Sequence, residues 1–384
     1  MFQLNKKKLL LFIAVIIIIF LFLTVWINFI SERDTDIKPV EGNHATIVDD
    51  DIDVLQVSSV AINLKIPWDL DFFPDGSIIF TERPGKVYVI DQETGLLKEP
   101  ILTLDNVEHI GEGGLLGIAL HPSFKDTGFV YLYYTYKKED EIFNRVVRYK
   151  MDNSYIVDVT QKKIIIDKIP GARTHNGGRI DFGPDENLYV TTGDAAQPKL
   201  SQDMSSLAGK ILRVKDDGKI PSNNPFNDSP VYSLGHRNPQ GLAWDSDGNL
   251  WSTEHGAIAK DELNLIEAGN NYGWPIIEGD ETHPNMESPI LQSGRDTWAP
   301  SGATYYNGSI YFAGLRGQTL YQAKIDSDSV ELFTHFDREF GRLRSVFLGP
   351  DNNLYVLTSN RDGRGVPVSI DDQIIRINPE KILS

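Results

Sequence analysis

The segment Thr174–Asp194 contains the residue types that a proton-transfer site requires. His175 precedes Gly177 and Gly178, whose lack of a Cβ atom permits positive φ angles and the close approach of another molecule. A short strand, a tight turn and a returning strand then lead to Asp194. Such a hairpin brings His175 and Asp194 to the same end, where an imidazole and a carboxylate could act as a general base. A surface histidine in a polar turn is the alternative interpretation of this segment.

A second segment, GHRNPQG, holds two polar side chains on a stiff bend. Pro239 fixes one φ angle, while Gly235 and Gly241 free the backbone on both sides of Arg237 and Asn238. A planar guanidinium suits a carboxylate or an electron-rich ring as its partner. An arginine that ties two parts of the fold together is the alternative interpretation.

Carboxylates and glycine-broken loops follow this bend. Glu254, Asp261 and Glu262 supply acidic side chains, and the backbone carbonyls of Gly256 and Ala257 are also available. Oxygens of this kind are what a hard cation prefers, and Ca²⁺ takes about six to eight of them. The spacing matches no calcium-binding loop, so a solvated acidic turn is the alternative.

Four arginines stand at predicted junctions between loops and strands, namely Arg237, Arg316, Arg342 and Arg344. Arg342 and Arg344 are two positions apart and therefore share one face of an extended strand. The chain as a whole carries a formal charge of −17, so a cluster of guanidinium groups predicts a small polyanionic ligand. The stretch GEGGLLG, residues 111–117, lets the backbone approach something flat or bulky.

Composition excludes several classes of function. The 384 residues include no cysteine, which excludes disulfides, thiolate metal sites and a cysteine nucleophile. The acidic balance argues against a nucleic-acid surface, because binding phosphates requires a basic patch. With 41% hydrophobic residues the chain is able to bury a large core.

The first thirty residues predict a membrane anchor. Three lysines at positions 6–8 precede an uncharged run, Leu9–Ile30, which is long enough to cross a bilayer as a helix. No small-residue cleavage site follows, so residues 1–30 are expected to remain as a single-pass anchor, with a cleaved signal peptide as the alternative. The lysines place the amino terminus in the cytoplasm and the rest outside it. Residues 31–53 are polar and acidic and predict a flexible linker.

These candidate residues must be positioned by a repeated β structure, because six turn signals recur about 45 to 60 residues apart, each followed by β-rich sequence. A hairpin with flanking strands at this period is typical of a propeller blade, and six such units predict an all-β, six-bladed propeller over residues 54–384. The segment Val54–Ile62 could supply the outer strand of the last blade and so close the ring. The turns lie at residues 73–76, 125–128, 184–187, 245–248, 306–308 and 350–353.

Six motifs together resemble the glucose/sorbosone dehydrogenase family, the soluble quinoprotein aldose sugar dehydrogenases. These are GEGGLLG, HNGGR, GHRNPQGLAW, DELN with NNYGWP, WAPSG and GRLR, and the similarity covers about Ala61 to Asn378. The resemblance implies a six-bladed propeller, pyrroloquinoline quinone (PQQ) and Ca²⁺ as cofactors, an aldose as substrate and an electron acceptor of unknown identity.

The resemblance also implies roles for individual residues. His175 would take the hydroxyl proton while a hydride passes from C1 of the sugar to the quinone, producing a lactone. Asp194 would orient His175, and Arg237 would stabilise the developing negative charge. The implied cofactor contacts are Glu112, His175, Arg237, Asn238, Thr297, Arg316, Arg342 and Arg344.

Two calcium ions are implied as well. One would lie at the carbonyls of Gly256 and Ala257 and polarise the quinone. Asp261, Glu262 and the carbonyl of Tyr272 are similar to the ligands of a second, structural ion.

Some positions depart from the family pattern. Glu112 stands where the family often has glutamine, Thr174 where the glucose enzyme has an acid, and Ala257 where proline is frequent. Two alternatives to the enzyme remain open at this point. One is a non-catalytic extracellular binding module, and the other is a gluconolactonase-like hydrolase with a metal held by side chains in the channel.

Overall fold

The computed structural model of the chain describes residues 57–326 and 329–382, which lie within one compact unit. The predicted anchor at residues 1–30, the whole of the predicted linker at residues 31–53 and positions 54–56 of the predicted closing strand lie outside the described residues. Among the described residues, no helix has the length and apolar character needed to cross a bilayer.

Six sheets follow one another along the chain, and each is a blade of antiparallel strands. Blade 1 contains β2 (Pro67–Phe72), β3 (Ile78–Glu82), β4 (Lys86–Asp91), β5 (Gly95–Leu96) and β6 (Leu102–Thr103). Blade 2 contains β7 (Leu115–Leu120), β8 (Phe129–Lys138), β9 (Glu141–Met151) and β10 (Val157–Pro170). Blade 3 contains β11 (Ile180–Phe182), β12 (Leu188–Thr192), β13 (Lys210–Val214) and β14 (Val231–Leu234).

The remaining blades repeat this order. Blade 4 contains β15 (Pro239–Trp244), β16 (Leu250–Glu254), β17 (Glu262–Ile266) and β18 (Leu291–Gln292). Blade 5 contains β19 (Pro300–Tyr306), β20 (Ser309–Gly314), β21 (Leu320–Asp326) and β22 (Ser329–His335). Blade 6 contains β23 (Leu343–Leu348), β24 (Leu354–Thr358), β25 (Ile374–Ile377) and, from the other end of the chain, β1 (Val57–Ala61). One short helix, α1 (Phe124–Thr127), and two 3₁₀ turns (Pro198–Gln202, Pro379–Lys381) join the described strands.

The ring is closed by the two ends of the described chain. Strand β1 pairs antiparallel with β25, with Val57 opposite Ile377 and Ser59 opposite Ile375. This pairing satisfies the outer edge of the last blade and fastens the first described strand to it. The predicted six-bladed β-propeller is therefore confirmed, and the closing strand falls within the predicted segment Val54–Ile62.

Recurrent turn chemistry explains the repeat. In blade 3, the carboxylate of Asp185 accepts hydrogen bonds from the Tyr189 hydroxyl at 3.1 Å and from Arg213 Nε at 2.8 Å. The turn aspartate thus ties two strands of its own blade together. Blade 6 repeats this arrangement with Asp351, Tyr355 and Arg376. The turn predicted at residues 125–128 is instead the end of α1, which Gly128 terminates in the left-handed conformation at φ 63°.

The first strand of each blade lines the central channel. Strands β2, β7 and β11 contact one another in sequence, as do β15, β19 and β23, and β23 returns to β2. Each blade begins at its inner strand and ends at its outer one, so all six inner strands enter the channel from the same side. We call that side the N-terminal mouth and the opposite side, where the inner strands end, the C-terminal mouth.

Side chains fill the space between blades and the middle of the channel. Because each blade packs against two neighbours, inner parts of strands are apolar on both faces, as in Tyr131, Leu132 and Tyr133, all fully buried. Trp68 occupies the channel with two guanidinium groups against its ring. Arg179 lies 4.5 Å and Arg344 5.6 Å from the ring centroid.

Candidate active site

His175 and Asp194 form a hydrogen-bonded pair at the N-terminal mouth. His175 lies in the loop before β11 and Asp194 in the loop after β12, and Nδ1 of His175 is 2.8 Å from Oδ1 of Asp194. The two loops touch, because a Cβ atom on Gly193 would lie 2.0 Å from the carbonyl oxygen of His175. The hairpin therefore places the two predicted residues together, and only glycine fits at position 193.

The Asp194 carboxylate is held by three donors. Besides the imidazole, Ala196 N–H donates to Oδ1 at 2.8 Å and the Trp274 indole N–H donates to Oδ2 at 2.9 Å. Asp194 is fully buried, whereas the side chain of His175 is 19% exposed. No described residue bonds Nε2 of His175. This nitrogen is therefore the one that could exchange a proton with a bound molecule.

A second histidine–carboxylate pair nearby is closed. His236 Nδ1 lies 2.8 Å from Glu254 Oε2, and Nε2 lies 2.8 Å from the hydroxyl of Ser233. The imidazole is fully buried and stacks on Tyr272 at 4.8 Å. Glu254 also accepts the backbone N–H of Arg237. With both ring nitrogens used and no access for substrate, this pair anchors the loop that carries Arg237.

Buried hydrogen-bond donors without partners gather at the same mouth. Arg237 reaches only the carbonyl of His255, at 3.3 Å, and lies 5.4 Å over the ring of Trp274. Asn238 accepts the Gly177 N–H at 3.0 Å through its oxygen, so its nitrogen faces away. The buried nitrogens without partners here are Arg83 Nε, Arg237 Nε, Arg344 Nε, Asn238 Nδ2 and His255 Nε2. Buried donors are normally satisfied, so this group predicts a ligand rich in acceptors.

The electrostatics of these groups agree with an anionic ligand. Burial is the main reason that the pKa of Arg344 falls to about 9. The charges of Asp362 and Glu112 oppose the fall, and those of Arg83 and Arg342 contribute to it. Burial likewise lowers the pKa of His255 to about 4. A cation whose pKa is depressed by other cations gains stability when an anion binds beside it.

Glu112 lies between the base and the arginines. Its Oε2 accepts the backbone N–H of His175 at 2.9 Å, and its Oε1 accepts Arg364 Nη1 at 2.8 Å. Burial raises the pKa of Glu112, but the His175 N–H and the positive charges of His255 and Arg364 outweigh it, and the pKa falls to about 2. Glu112 is therefore a carboxylate at any physiological pH.

The other predicted cofactor residues differ in whether their side chains already have hydrogen-bond or ion-pair partners in the protein. Arg342 is buried and already paired with Asp362 at 2.8 Å and with the Leu315 carbonyl at 3.0 Å. Arg316 is exposed, and its side chain has no hydrogen-bond or ion-pair partner among the described residues. The hydroxyl of Thr297 donates to the Ile258 carbonyl at 3.3 Å.

Four of the five predicted metal-binding residues line one small cavity. It measures about 10 Å³, room for about one water-sized particle, and its walls include Gly256, Ala257, Glu262 and Tyr272. Within the described part of the chain, no group of three or more His, Asp or Glu side chains is arranged to hold a metal. The carbonyls of Gly256 and Ala257 accept no hydrogen bond from the described residues, which leaves their lone pairs available.

The two predicted acidic ligands have different surroundings. Asp261 accepts backbone N–H groups from Gly256 at 2.9 Å, Trp298 at 2.7 Å and Ala299 at 2.9 Å, so it already fixes the local backbone. For Glu262, burial and the nearby charge of Glu254 raise the pKa to about 8. A cation in the cavity would relieve the repulsion between these two carboxylates.

The family model described as Glucose / Sorbosone dehydrogenase matches residues 64–374. The chain belongs to the glucose/sorbosone dehydrogenase family. The aldose sugar dehydrogenase of Escherichia coli is 30% identical over 336 residues, which cover 80% of this chain and 90% of that protein. Quinoprotein glucose dehydrogenase B of Acinetobacter calcoaceticus is 35% identical over 56% of this chain and 52% of its own length.

A solved structure of another family member matches the fold closely. The PQQ-bound form of aldose sugar dehydrogenase from Streptomyces coelicolor has a TM-score of 0.78 and 39% identity, covering 83% of this chain and 97% of that one. The predicted resemblance is confirmed, and with it the predicted class of enzyme, because these relatives are named as dehydrogenases of sugars.

Several residues of the candidate active site in the present chain were not predicted from the sequence. Trp274 bonds Asp194 and covers Arg237, although it stands in the quoted motif NNYGWP without an assigned role. Arg83 directly follows the end of β3, whereas the four predicted arginines stand where loops lead into strands. Arg364 reaches Glu112 across 252 positions, and no local pattern indicates this contact.

Proposed function

We propose that the chain is a PQQ-dependent aldose sugar dehydrogenase that oxidises the C1 hydroxyl of an aldose to a lactone. One observation carries this proposal. An imidazole with a free Nε2, held by a buried carboxylate, stands beside several buried cationic and amide donors that lack acceptors. A base next to a site for a polyanion is what this oxidation needs.

The proton is handled by the pair His175 and Asp194. Nε2 of His175 accepts the proton of the C1 hydroxyl, and the Nδ1 hydrogen bond to Asp194 stabilises the imidazolium that forms. The indole of Trp274 keeps the Asp194 carboxylate oriented toward the ring. Removal of the proton makes the C1 carbon a better hydride donor, and bound PQQ supplies the two-electron acceptor for that hydride.

The cationic donors are suited to holding PQQ. Its three carboxylates and quinone oxygens offer acceptors to the unpaired nitrogens of Arg83, Arg237 and Arg344. Arg237 lies where it could stabilise negative charge that develops on an oxygen, without moving during the reaction. Further contacts in this proposal are Asn238, Thr297, Arg316 and Arg342, and Arg342 would contribute from within its pair with Asp362.

Calcium is the second proposed cofactor. The free carbonyls of Gly256 and Ala257 would hold an ion that polarises a quinone oxygen as a Lewis acid. Glu262 and the carbonyl of Tyr272 line the same small cavity, and Asp261 lies next to them as a further proposed ligand. The repulsion between Glu254 and Glu262 supports a cation at this place.

A reconstitution experiment tests the function. The full chain is loaded with PQQ and Ca²⁺, and reduction of an artificial dye is followed with a panel of aldoses. We expect a saturable change in the PQQ spectrum and dye reduction that depends on aldose, PQQ and Ca²⁺. His283→Gln serves as the control variant for His175→Ala, because His283 is exposed and bonds only the carbonyl of its neighbour, Pro284. No spectral change on adding PQQ would refute the proposal.

The two alternatives gain no support from the site. Nothing among the described residues forms the side-chain metal cage that a gluconolactonase-like hydrolase requires. A binding module without catalysis has no use for the His175–Asp194 pair. It would retain its function after His175→Ala, whereas a dehydrogenase would not.

We also propose that residues 1–30 anchor the protein in the cell membrane, with the propeller on the extracytoplasmic side. The uncharged run Leu9–Ile30 behind three lysines supports this. Fractionation of cells that express the full chain, and protease treatment of intact cells, would check it. A propeller that is released without detergent or protected in intact cells would contradict it.

A further inference from the structure

We propose that Glu112 is a positioning residue, which fixes the backbone of His175 and is itself held by Arg364 from blade 6, and that it does not contact the cofactor. The inference rests on the proposed function, in which His175 is the base, and it assigns Glu112 a role different from that of a cofactor ligand.

Both oxygens of Glu112 are occupied by groups of the protein. One accepts the His175 backbone N–H at 2.9 Å and the other accepts Arg364 Nη1 at 2.8 Å. The backbone N–H of Glu112 donates to the Arg173 carbonyl at 2.7 Å, so two hydrogen bonds join its loop to the loop of His175. Gly111 permits this approach, because a Cβ atom there would lie 2.0 Å from the Arg173 oxygen.

His175 needs such an anchor. Its φ angle is 58°, in the left-handed region that costs a residue other than glycine about 1 kcal/mol. Residues 171–179 belong to no strand, and apart from the bond to Glu112 the His175 backbone is held by the Ala195 N–H, which donates to the His175 carbonyl at 3.2 Å. The bond from Glu112 to the His175 N–H opposes relaxation of the backbone, which would turn Nε2 away from its position.

The anchor reaches across the mouth to the arginine cluster. Arg364 N–H donates to Oδ1 of Asp362 at 2.9 Å, and Oδ2 of Asp362 pairs with Arg342 at 2.8 Å. Blade 6 thus supplies, through one loop, both the counter-ion of Arg342 and the cation that holds Glu112. The continuous series of contacts is Arg342, Asp362, Arg364, Glu112 and His175.

The outer member of this series is accessible to solvent. The Arg364 side chain is 55% exposed and that of Glu112 is 19% exposed. An ion pair in this setting is screened by salt, whereas the bond between Glu112 and the His175 amide is shielded. We therefore expect added salt to weaken the positioning of His175 until the Arg364–Glu112 ion pair is fully screened, after which more salt has no further effect.

Hydrogen exchange of the His175 amide tests the anchor without any cofactor. We expect Glu112→Ala to accelerate exchange in the peptide that contains His175 by about tenfold or more, since the amide loses a charged acceptor. Glu112→Gln, which retains an acceptor oxygen, should restore most of the protection. Arg364→Gln should give a smaller acceleration, and Arg295→Gln, at an exposed arginine without a described partner, none. Unchanged exchange in Glu112→Ala would overturn the proposal.

Kinetics with loaded enzyme separate positioning from cofactor binding. For Glu112→Ala we expect kcat to fall about tenfold while the KM for aldose and the Kd for PQQ change less than about twofold. The kcat of the Arg364→Gln variant should lose its dependence on salt, and the combined variant should be no slower than Glu112→Ala alone. A rise in the Kd for PQQ with unchanged kcat, or fully additive effects, would overturn the proposal.

The two experiments distinguish the inference from the function on which it rests. Failure of the wild-type chain to bind PQQ would refute the proposed function, and the exchange experiment would still decide whether Glu112 anchors His175. Binding of PQQ with unchanged exchange would leave the function in place and refute the role of Glu112.

Discussion

The two mouths of the channel gather ionisable side chains of different kinds, chiefly arginines at one and aspartates at the other, and they differ in how these groups are paired. At the N-terminal mouth, buried donors lack acceptors. At the C-terminal mouth, a cavity of about 260 Å³ is lined by three carboxylates together with aromatic side chains. Loss of hydration inside the channel raises the pKa of each of these carboxylates, to about 7 for Asp69, about 6 for Asp71 and about 8 for Asp181, although Asp181 still reaches solvent.

The acidic mouth needs no ligand to balance its charge. Asp69 pairs with Arg179 and accepts the Ile118 N–H at 3.1 Å, and Asp71 accepts the Leu120 N–H at 2.7 Å. Its carboxylates can also bind protons near neutral pH, whereas arginines do not readily release theirs. A cluster of shifted pKa values is therefore an insufficient sign of an active site. Unpaired donors beside a free base distinguish one mouth from the other.

The largest expected effect of a single substitution is at His175. With the base removed, His175→Ala should slow the reduction of bound PQQ by aldose about 10³-fold, within the usual range for a general base. The Kd for PQQ should change little, because the arginines remain. Single-turnover absorbance measurements on the loaded enzyme would give the rate of PQQ reduction, and a titration with PQQ would give its Kd. If bound PQQ were still reduced by aldose at the wild-type rate, His175 would not be the base. The N-terminal mouth would then lack the free base that distinguishes it from the C-terminal mouth.

The partner of the base should matter next. Asp194→Asn removes the charge that stabilises the imidazolium while nearly preserving volume, and we expect kcat to fall about 10²-fold. Steady-state kinetics of the loaded enzyme at a saturating aldose concentration check this. A kcat equal to that of the wild type would show that the Asp194 carboxylate does not assist His175.

A smaller effect is expected from the arginines. Arg344→Met removes one buried guanidinium that lacks a partner at Nε, and the Kd for PQQ should rise about 30-fold, as for a truncated buried charge pair. Arg338→Met, at an exposed arginine in the loop after blade 5, is the matched control and should not change the Kd. Fluorescence titration would measure both. Equal affinities for the two variants would contradict a cationic cofactor site.

The smallest effect is predicted at the acidic mouth. Because the folded-state pKa values of Asp69, Asp71 and Asp181 are raised, the folded chain binds more protons than the unfolded one from about pH 4 to 8. Stability should therefore fall as pH rises through this window. Asp181→Asn should stabilise the fold at pH 8 by at most about 1 kcal/mol, since this side chain is accessible to solvent.

Thermal unfolding of this variant at pH 5 and pH 8 would check the prediction. The stabilisation should be small at pH 5, and the kcat should equal that of the wild type at both values. A destabilised variant at pH 8, or one with altered activity, would show that the carboxylate of Asp181 serves the folded or active state in its charged form.

The sequence predicted those features that depend on local patterns. Turn residues at a regular period predicted the blades, and the hairpin between His175 and Asp194 brought those two side chains together because they are joined by two short strands. The motif around Arg237 was correctly placed at a strand start, since Pro239 begins β15.

Contacts between distant segments could not be predicted in this way. Trp274 meets Asp194 from a loop 80 positions later, and Arg364 of blade 6 meets Glu112, in the loop before blade 2, only because the ring closes. The acidic mouth was also overlooked, although Asp69 and Asp71 alternate along β2 and must therefore share a face. What decides these contacts is the closure of the ring, which no short pattern describes.

The most direct test of the account is a crystal structure of the full chain grown with PQQ and Ca²⁺. We expect a flat tricyclic density at the N-terminal mouth, with carboxylates bonded to the unpaired nitrogens of Arg83, Arg237 and Arg344 and with Nε2 of His175 facing the quinone. Density at the C-terminal mouth instead, or a N-terminal mouth whose nitrogens bond only water at saturating PQQ, would contradict the account.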